Sequence, residues 1–258
     1  MSQHTTLMNH VHDWVLEAGE RIKDTLSSPI MVEEKTDRRD LVTNVDKETE
    51  AFLVDKIKRY YPDDQIIGEE GLGTNPRSTK GRIWVIDPID GTMNFVTQQE
   101  NFCVMIGIFE ENIPVLGFIY NVMKGEFIYG GKAVGVFLNG KELPMVDNTP
   151  LESGIIGVNG WMFANNIDHT QEIAFSGLGV RMFGCAGLDF LDVLRGKQVA
   201  YISNLAPWDF AAGVALSEPL GLVCRNLDGS LYDILGGRTK FIVATEQAFN
   251  TIYKKFIK

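Results

Sequence analysis

Residues Ile83-Trp84-Val85-Ile86 form an apolar run that ends on Asp87-Pro88-Ile89-Asp90-Gly91. A short apolar run bounded by proline and glycine reads as a strand. It delivers Asp87 at its end; Pro88 removes a backbone donor and stiffens the turn, and Asp90 follows three residues after Asp87. Two carboxylates so spaced around a proline turn can converge on one point. Carboxylates and backbone carbonyls are the hard oxygen ligands that Mg²⁺ takes at about 2.0–2.1 Å. Gly91 permits close backbone approach, and Thr92-Met93-Asn94-Phe95 can open a helix whose first N–H groups would cradle a phosphate. Asp-Pro-x-Asp-Gly is equally good surface-turn chemistry, and on this stretch alone the two readings stand level.

Two further acidic sites shift the balance. Ile66-Ile67-Gly68-Glu69-Glu70-Gly71 is again an apolar strand with an acidic end, which by itself reads as a solvated terminus. In Pro207-Trp208-Asp209-Phe210-Ala211-Ala212-Gly213, Asp209 stands where a helix would start, the place of an ordinary N-cap. Trp208 beside small Ala211, Ala212 and Gly213 suggests that this helix is closely packed.

The rhythm of the chain changes twice. Leu7, Val11, Trp14, Val15, Ala18 and Ile22 share a helical stripe, and a second helix is expected over Val45–Tyr61, stopped by Pro62. Strands are expected at Gln65–Gly68, Ile83–Asp87, Val104–Phe109, Val115–Tyr120 and Glu126–Tyr129, then a hairpin turning at Asn139-Gly140. Beyond about Asn148 strands and helices alternate: strands Gly154–Asn159, Val180–Phe183, Val199–Ile202, Gly221–Arg225 and Phe241–Ala244, helices Asp168–Ser176, Leu188–Leu194, Asp209–Glu218 and Glu246–Phe256. The expected organisation is an α+β half, residues 1–148, joined to an α/β half, residues 149–258, which carries Asp209.

With 258 residues and 45% hydrophobic content, the chain can bury substantial cores. A net charge of −10 argues against nucleic acid as the main partner, although bound cations can reverse the field in a carboxylate site. No apolar run is long enough to span a bilayer, and residues 1–28 have no signal-peptide core. Cys103, Cys185 and Cys224 form no CxxC pair, so no disulfide framework or zinc ribbon is indicated and a reducing cytoplasm fits. Gly135–Glu142 approaches a P-loop pattern but puts Glu142 where a Mg²⁺-binding Ser or Thr belongs. It reads as a hairpin. No dinucleotide fingerprint or GxSxG elbow occurs, and His10 and His12 cannot share a helix face as ligands.

Gly68-Glu69-Glu70, Trp84 to Phe95, Pro207 to Gly213 and the upstream Asp40-Leu41-Val42-Thr43-Asn44-Val45-Asp46 together resemble the signature motifs of the inositol monophosphatase family, in order and from the first helix to the last strand. The resemblance implies a layered α-β-α-β-α sandwich of the inositol monophosphatase and fructose-bisphosphatase type, a homodimer, and Mg²⁺-dependent hydrolysis of small phosphate monoesters with two to three ions per site. It implies that Glu69, Asp87 and the Ile89 carbonyl hold one ion, and that Asp87, Asp90 and Asp209 hold a second, with a third more loosely bound near Glu69. Li⁺ would then inhibit by replacing Mg²⁺ at the Asp87, Asp90 and Asp209 site. Thr92, bonded to Asp46, would orient the attacking water, and the Gly91 and Thr92 amides would hold the phosphate. Substrate contacts would come from Asp90, Asp209 and the turn Gly184-Cys185-Ala186.

Two departures bear on substrate. Cys185 stands where the family carries a Ser or Thr; a thiol is the poorer hydrogen-bonding group, and buried filler is an equal reading. Ile202 occupies the position, seven before Asp209, at which inositol-selective members carry a glutamate. The expectation is an apolar wall and a relaxed preference, admitting nucleotide 2′-phosphates such as NADP(H) beside inositol-1-phosphate; the alternative is that Ile202 belongs to a strand core and meets no substrate. Fructose-1,6-bisphosphate and adenosine 3′,5′-bisphosphate remain alternatives, and a catalytically silent metal- or phosphate-binding regulator is the reading from another class.

Overall fold

The computed structural model describes residues 3–27, 29–35, 38, 41–74 and 76–258. Asp40, which opens the upstream motif, lies outside the described residues. Helix α1 (Gln3–Thr25) buries the whole predicted stripe from Leu7 to Ile22. Two three-residue strands, β1 (Val32–Glu34) and β2 (Leu41–Thr43), pair antiparallel. The sequence offered no sign of this hairpin, because β1 is exposed throughout and carries no apolar alternation. Helix α2 (Asn44–Tyr60) begins with a reciprocal cap: the Thr43 hydroxyl accepts from the amides of Val45 and Asp46, and the Thr43 amide donates to Asp46 Oδ2 at 2.8 Å.

Seven strands then form one sheet in chain order: β3 (Gln65–Gly68), β4 (Arg82–Asp90), β5 (Cys103–Glu110), β6 (Ile113–Asn121), β7 (Glu126–Gly131), β8 (Gly135–Leu138) and β9 (Lys141–Glu142). Only β3 and β4 pair in parallel; helix α3 (Thr92–Gln98) leads from β4 towards β5. The P-loop look-alike is the β8–β9 hairpin, with Asn139 and Gly140 left-handed at its turn.

The second half contains β10 (Ile155–Val158), α4 (Gly160–Ala164), α5 (Thr170–Phe175), β11 (Gly179–Arg181), α6 (Ala186–Leu194), β12 (Ala200–Leu205), α7 (Pro207–Ser217), β13 (Leu222–Asn226), β14 (Thr239–Thr245) and α8 (Glu246–Ile252). Its sheet has the order β11-β10-β12-β14-β13, parallel over the first three strands and antiparallel around β14. Helix α5 starts at Thr170, later than Asp168, since Asp168 and His169 take left-handed conformations that interrupt a helix.

Three apolar cores hold five layers together, the middle core covering both faces of the α6–α7 layer. Helices α1 and α2 cover one face of the seven-stranded sheet through Val104, Ile106 and Ile108; helices α6 and α7 lie between the two sheets against Met105, Phe109 and Phe241. On the outer face of the five-stranded sheet, Ile156, Ile202 and Ile242 pack with residues of α5 and α8. The chain is thus an α-β-α-β-α sandwich. Two glycines set how closely the middle layer approaches. Gly107 of β5 and Gly117 of β6 are direct partners in the sheet, and together they form a notch for α7. A methyl on Gly107 would lie 2.6 Å from the Ala211 backbone carbon, and one on Gly117 would run into the Ala212 carbonyl. That contact seats the helix carrying Asp209 against the sheet carrying Asp87 and Asp90.

Candidate active site

The site begins with an irregularity in β4. Side chains three apart on a regular strand point to opposite faces. Here Asp87 pairs with Met105 and Asp90 with Cys103, so three residues of β4 span two of β5. The extra residue is a bulge at Pro88–Ile89, and it turns both carboxylates to the α6–α7 side. Proline suits the place, since a bulged residue has no ladder partner to supply.

Asp209 arrives from the opposite layer. It occupies the third position of α7, one turn later than a cap, and Ala206 is the N-cap. Its Oδ2 nevertheless accepts the Ala206 amide at 2.8 Å, with the Arg238 guanidinium at 3.0 Å. Asp87, Asp90 and Asp209 bring carboxylate oxygens within 4.8 Å of one another, and all three are buried. Burial first, then the charges of Glu69, Asp90 and Asp209, push the Asp87 carboxyl well above its ordinary range. Asp209 rises to about 7, chiefly by burial, with Arg238 opposing. Among the described residues Asp87 Oδ1 has no hydrogen-bond partner. An orphaned, buried carboxylate oxygen facing two more acids is costly unless a cation completes it. The donor set is hard oxygen, suited to a divalent cation of the Mg²⁺ class.

Glu69 follows β3 and lines the same cleft as the three aspartates. Its turn is held from α2: buried Glu50 accepts the amides of Glu70 and Leu72 at 2.7 and 2.8 Å. Lys35 bridges Glu69 and Glu70 at 3.0 and 2.7 Å. Burial works against the lysine's charge, but the two glutamates hold it above its usual value.

Thr92 opens α3, directly after Gly91, whose φ of 88° is left-handed. A methyl on Gly91 would meet Cys185 Cβ at 3.0 Å, so both conformation and space require glycine there. Thr92 Oγ1 lies 3.1 Å from Asp46 Oδ1 and 3.0 Å from the Ile89 carbonyl, both of them acceptors. Asp46 is fixed by its cap to Thr43.

The turn Gly184-Cys185-Ala186 lines the cleft, but its donors serve Asp90. The Ala186 amide reaches Asp90 Oδ1 at 3.1 Å, the Gly187 amide reaches Oδ2, and the Cys185 thiol lies 3.0 Å from Oδ2. Asn94 ties this wall to α3 through Nδ2 bonds to the Asn101 and Phe183 carbonyls, each 2.9 Å.

Ile202 does not line the cleft. Strand β12 turns Tyr201 and Ser203 to the cleft and buries Ile202 completely on the other face, in the outer core with Ile156 and Ile242. The expected apolar wall is therefore absent from this position. Ile202→Glu should cost several kcal/mol, the effective penalty of a buried unpaired charge. Its melting temperature should fall while the ratio of kcat/KM between substrates stays as in wild type. A folded Ile202→Glu protein with a shifted ratio would contradict this placement.

The rest of the cleft, of about 320 Å³, includes Asn159, Asp189, Asn204 and Arg238, none of which the sequence singled out. Lys35 and Arg238 were missed because a lone cation in a loop has no pattern. Asn94 lies within a recognised motif, yet nothing in the sequence shows what it binds. His10 and His12 take no part in the cleft; His10 Nδ1 meets the Tyr61 hydroxyl at 2.9 Å, and His12 stacks on Phe127.

Buried carboxylates converging at a strand bulge and a helix start make a hard-cation site of the class that metal-dependent phosphoryl hydrolases use. The inositol monophosphatase family model matches residues 3–256. The inositol-1-monophosphatase of Bacillus subtilis is 36% identical over 262 residues, covering 100% of this chain and 98% of the relative. Inositol monophosphatase II of Staphylococcus aureus superposes with a TM-score of 0.88 at 34% identity, over 98% of this chain and 93% of that one. An IMPase/NADP phosphatase solved with Mg²⁺ and phosphate gives a TM-score of 0.90 at 29% identity, over 98% and 95% of the two chains. The chain belongs to the inositol monophosphatase family.

Proposed function

We propose that this enzyme removes phosphate from small polyol and nucleotide monoesters, inositol-1-phosphate and nucleotide 2′-phosphates among them, in a Mg²⁺-dependent reaction. The observation that carries the proposal is the convergence of Asp87, Asp90 and Asp209, with Asp87 Oδ1 unpartnered among the described residues. Asp87, Asp90 and Asp209 would hold one cation; Asp87, Glu69 and the Ile89 carbonyl would hold another. Mg²⁺ there would offset the carboxylate charge, polarise a phosphoryl oxygen and acidify water.

The chain's own groups do the positioning. Thr92 has one hydroxyl proton, directed at Asp46 and Ile89, which leaves its oxygen lone pairs to accept from a water in the cleft. The water's proton then has a path through Thr92 to Asp46. The Gly91 and Thr92 amides stand at the start of α3, where no side chain among the described residues caps the helix, and they are the donors for phosphate oxygens. Phosphoryl transfer needs chiefly position and charge, so water can attack directly without a phosphoenzyme. The substrate breadth draws on the relatives: SaIMPase-II has been solved with inositol monophosphate and with 2′AMP, and the IMPase/NADP phosphatase with NADP and Ca²⁺. At the rim Arg238 is half exposed, a cation within reach of a second anionic group on a nucleotide.

The test is phosphate release by purified protein from inositol-1-phosphate, 2′-AMP, NADP⁺, fructose-1,6-bisphosphate and adenosine 3′,5′-bisphosphate, with and without Mg²⁺. Activity is expected only with Mg²⁺, and lost in LiCl relative to matched NaCl. Saturating Mg²⁺ should also raise the melting temperature, by about 2.7 kcal/mol of added stability at a hundredfold excess over Kd. Equal turnover after chelation, with no Mg²⁺-dependent melting shift, would overturn the proposal.

A further inference from the structure

Around Asp90 two cysteines complete a second cluster. Cys185 Sγ lies 3.0 Å from Asp90 Oδ2 and 3.9 Å from Cys103 Sγ. Asp90, Cys103 and Cys185 thus place three ligand atoms within 4.8 Å of one another. The third cysteine, Cys224, is buried on β13, outside this group. Zn–S bonds of about 2.3 Å at a tetrahedral centre put two sulfurs about 3.8 Å apart, close to the spacing found here. Cys103 projects from β5 and Cys185 precedes α6, so elements on two sides of Asp90 hold the two sulfurs. Asp90 and Cys185 both line the cleft, which gives an ion a way in, while Cys103 lies buried behind them. Two thiolates and one carboxylate are a donor set for soft or borderline cations and a poor one for Mg²⁺.

We propose that Asp90, Cys103 and Cys185 form a binding site for a thiophilic divalent cation, Zn²⁺ or Cd²⁺, that draws Asp90 away from the hard-cation site and so inhibits the enzyme. Binding exchanges two thiol protons for one M²⁺, forms two M–S bonds and one M–O bond, and requires no oxidant. The site itself stands on the geometry of the three residues. The inhibition rests on the proposed role of Asp90 in Mg²⁺-dependent hydrolysis.

The probe is CdCl₂ added to metal-free protein in thiol-free buffer. The first equivalent of Cd²⁺ per chain should bind with the ultraviolet charge-transfer band of a cadmium–thiolate bond, and X-ray absorption at the cadmium edge at that stoichiometry should count two sulfur ligands. In parallel, the same Cd²⁺ should abolish phosphate release at fixed Mg²⁺. Cys224→Ala should behave as wild type. Cys103→Ala and Cys103→Ser should keep Mg²⁺-dependent activity and lose the two-sulfur signature. Because loss of a mere outer-sphere partner costs about 10–100-fold in metal affinity, loss of this ligand should raise the inhibitory Cd²⁺ concentration at least about tenfold. Absence of sulfur ligands on stoichiometric Cd²⁺ in the wild-type protein would overturn the site, whether or not the Cys103 variants fold. A two-sulfur signature without inhibition would leave the site standing and overturn its coupling to Asp90. Inhibition unchanged in folded Cys103 variants would place Cd²⁺ on the carboxylates alone and also overturn that coupling. A protein that releases no phosphate still reports on the site through its absorption.

Discussion

Asp87→Asn is expected to lower kcat/KM by at least about 10³-fold, which corresponds to about 4 kcal/mol of transition-state stabilisation, while the protein stays folded. The two effects separate because Asp87 is a liability to the fold without metal. The residue is 1% exposed, one carboxylate oxygen is unpartnered among the described residues, and Glu69, Asp90 and Asp209 repel its charge. Asparagine keeps the shape, removes the charge and offers an N–H₂ group to the neighbouring carboxylates. In chelator, Asp87→Asn should therefore melt no lower than wild type; in Mg²⁺, the stabilisation expected of wild type should be lost. Calorimetric melts in EDTA and in MgCl₂, beside phosphate-release kinetics, measure both. Turnover within tenfold of wild type would mean that the carboxylates do not hold the catalytic cation.

Thr92→Ala should lower kcat by about 10²–10⁴-fold, the usual range for proton-transfer assistance, with KM little changed. Thr92 is only partly buried, and the change to alanine keeps the backbone of α3. Thr92→Ser, which retains the hydroxyl between Asp46 and Ile89, should recover most of the rate. An unchanged kcat in Thr92→Ala would show that Thr92 only opens a helix and takes no part in activating water.

What the sequence disclosed, and what it withheld, follows from range. The end of β4 was legible because strand, proline and acids are contiguous, and Asn139-Gly140 announced its hairpin for the same reason. The bulge that brings Asp87 and Asp90 to one face was not legible, since it exists only relative to the β5 register. Ile202 was misplaced by counting back from Asp209 without the phase of the strand. Both faces of β12 are covered, so five of its six residues are buried and no polar–apolar alternation marks the cleft side. The service of Ala186 and Gly187 to Asp90 joins positions almost a hundred residues apart through backbone amides, to which side-chain identity is blind.

The glycine notch under α7 has a thermodynamic consequence. Asp209 belongs to the middle helical layer and Asp87 and Asp90 to the seven-stranded sheet, so a cation held by all three bonds two layers of the sandwich to each other. Its affinity and the docking of those layers are then a single linked equilibrium. Any added bulk at Gly107 or Gly117 would have to be met by the same free energy that grips the ion. Weakness in a contact remote from the cleft would surface first as a higher metal requirement, well before the molecule showed itself less stable to heat.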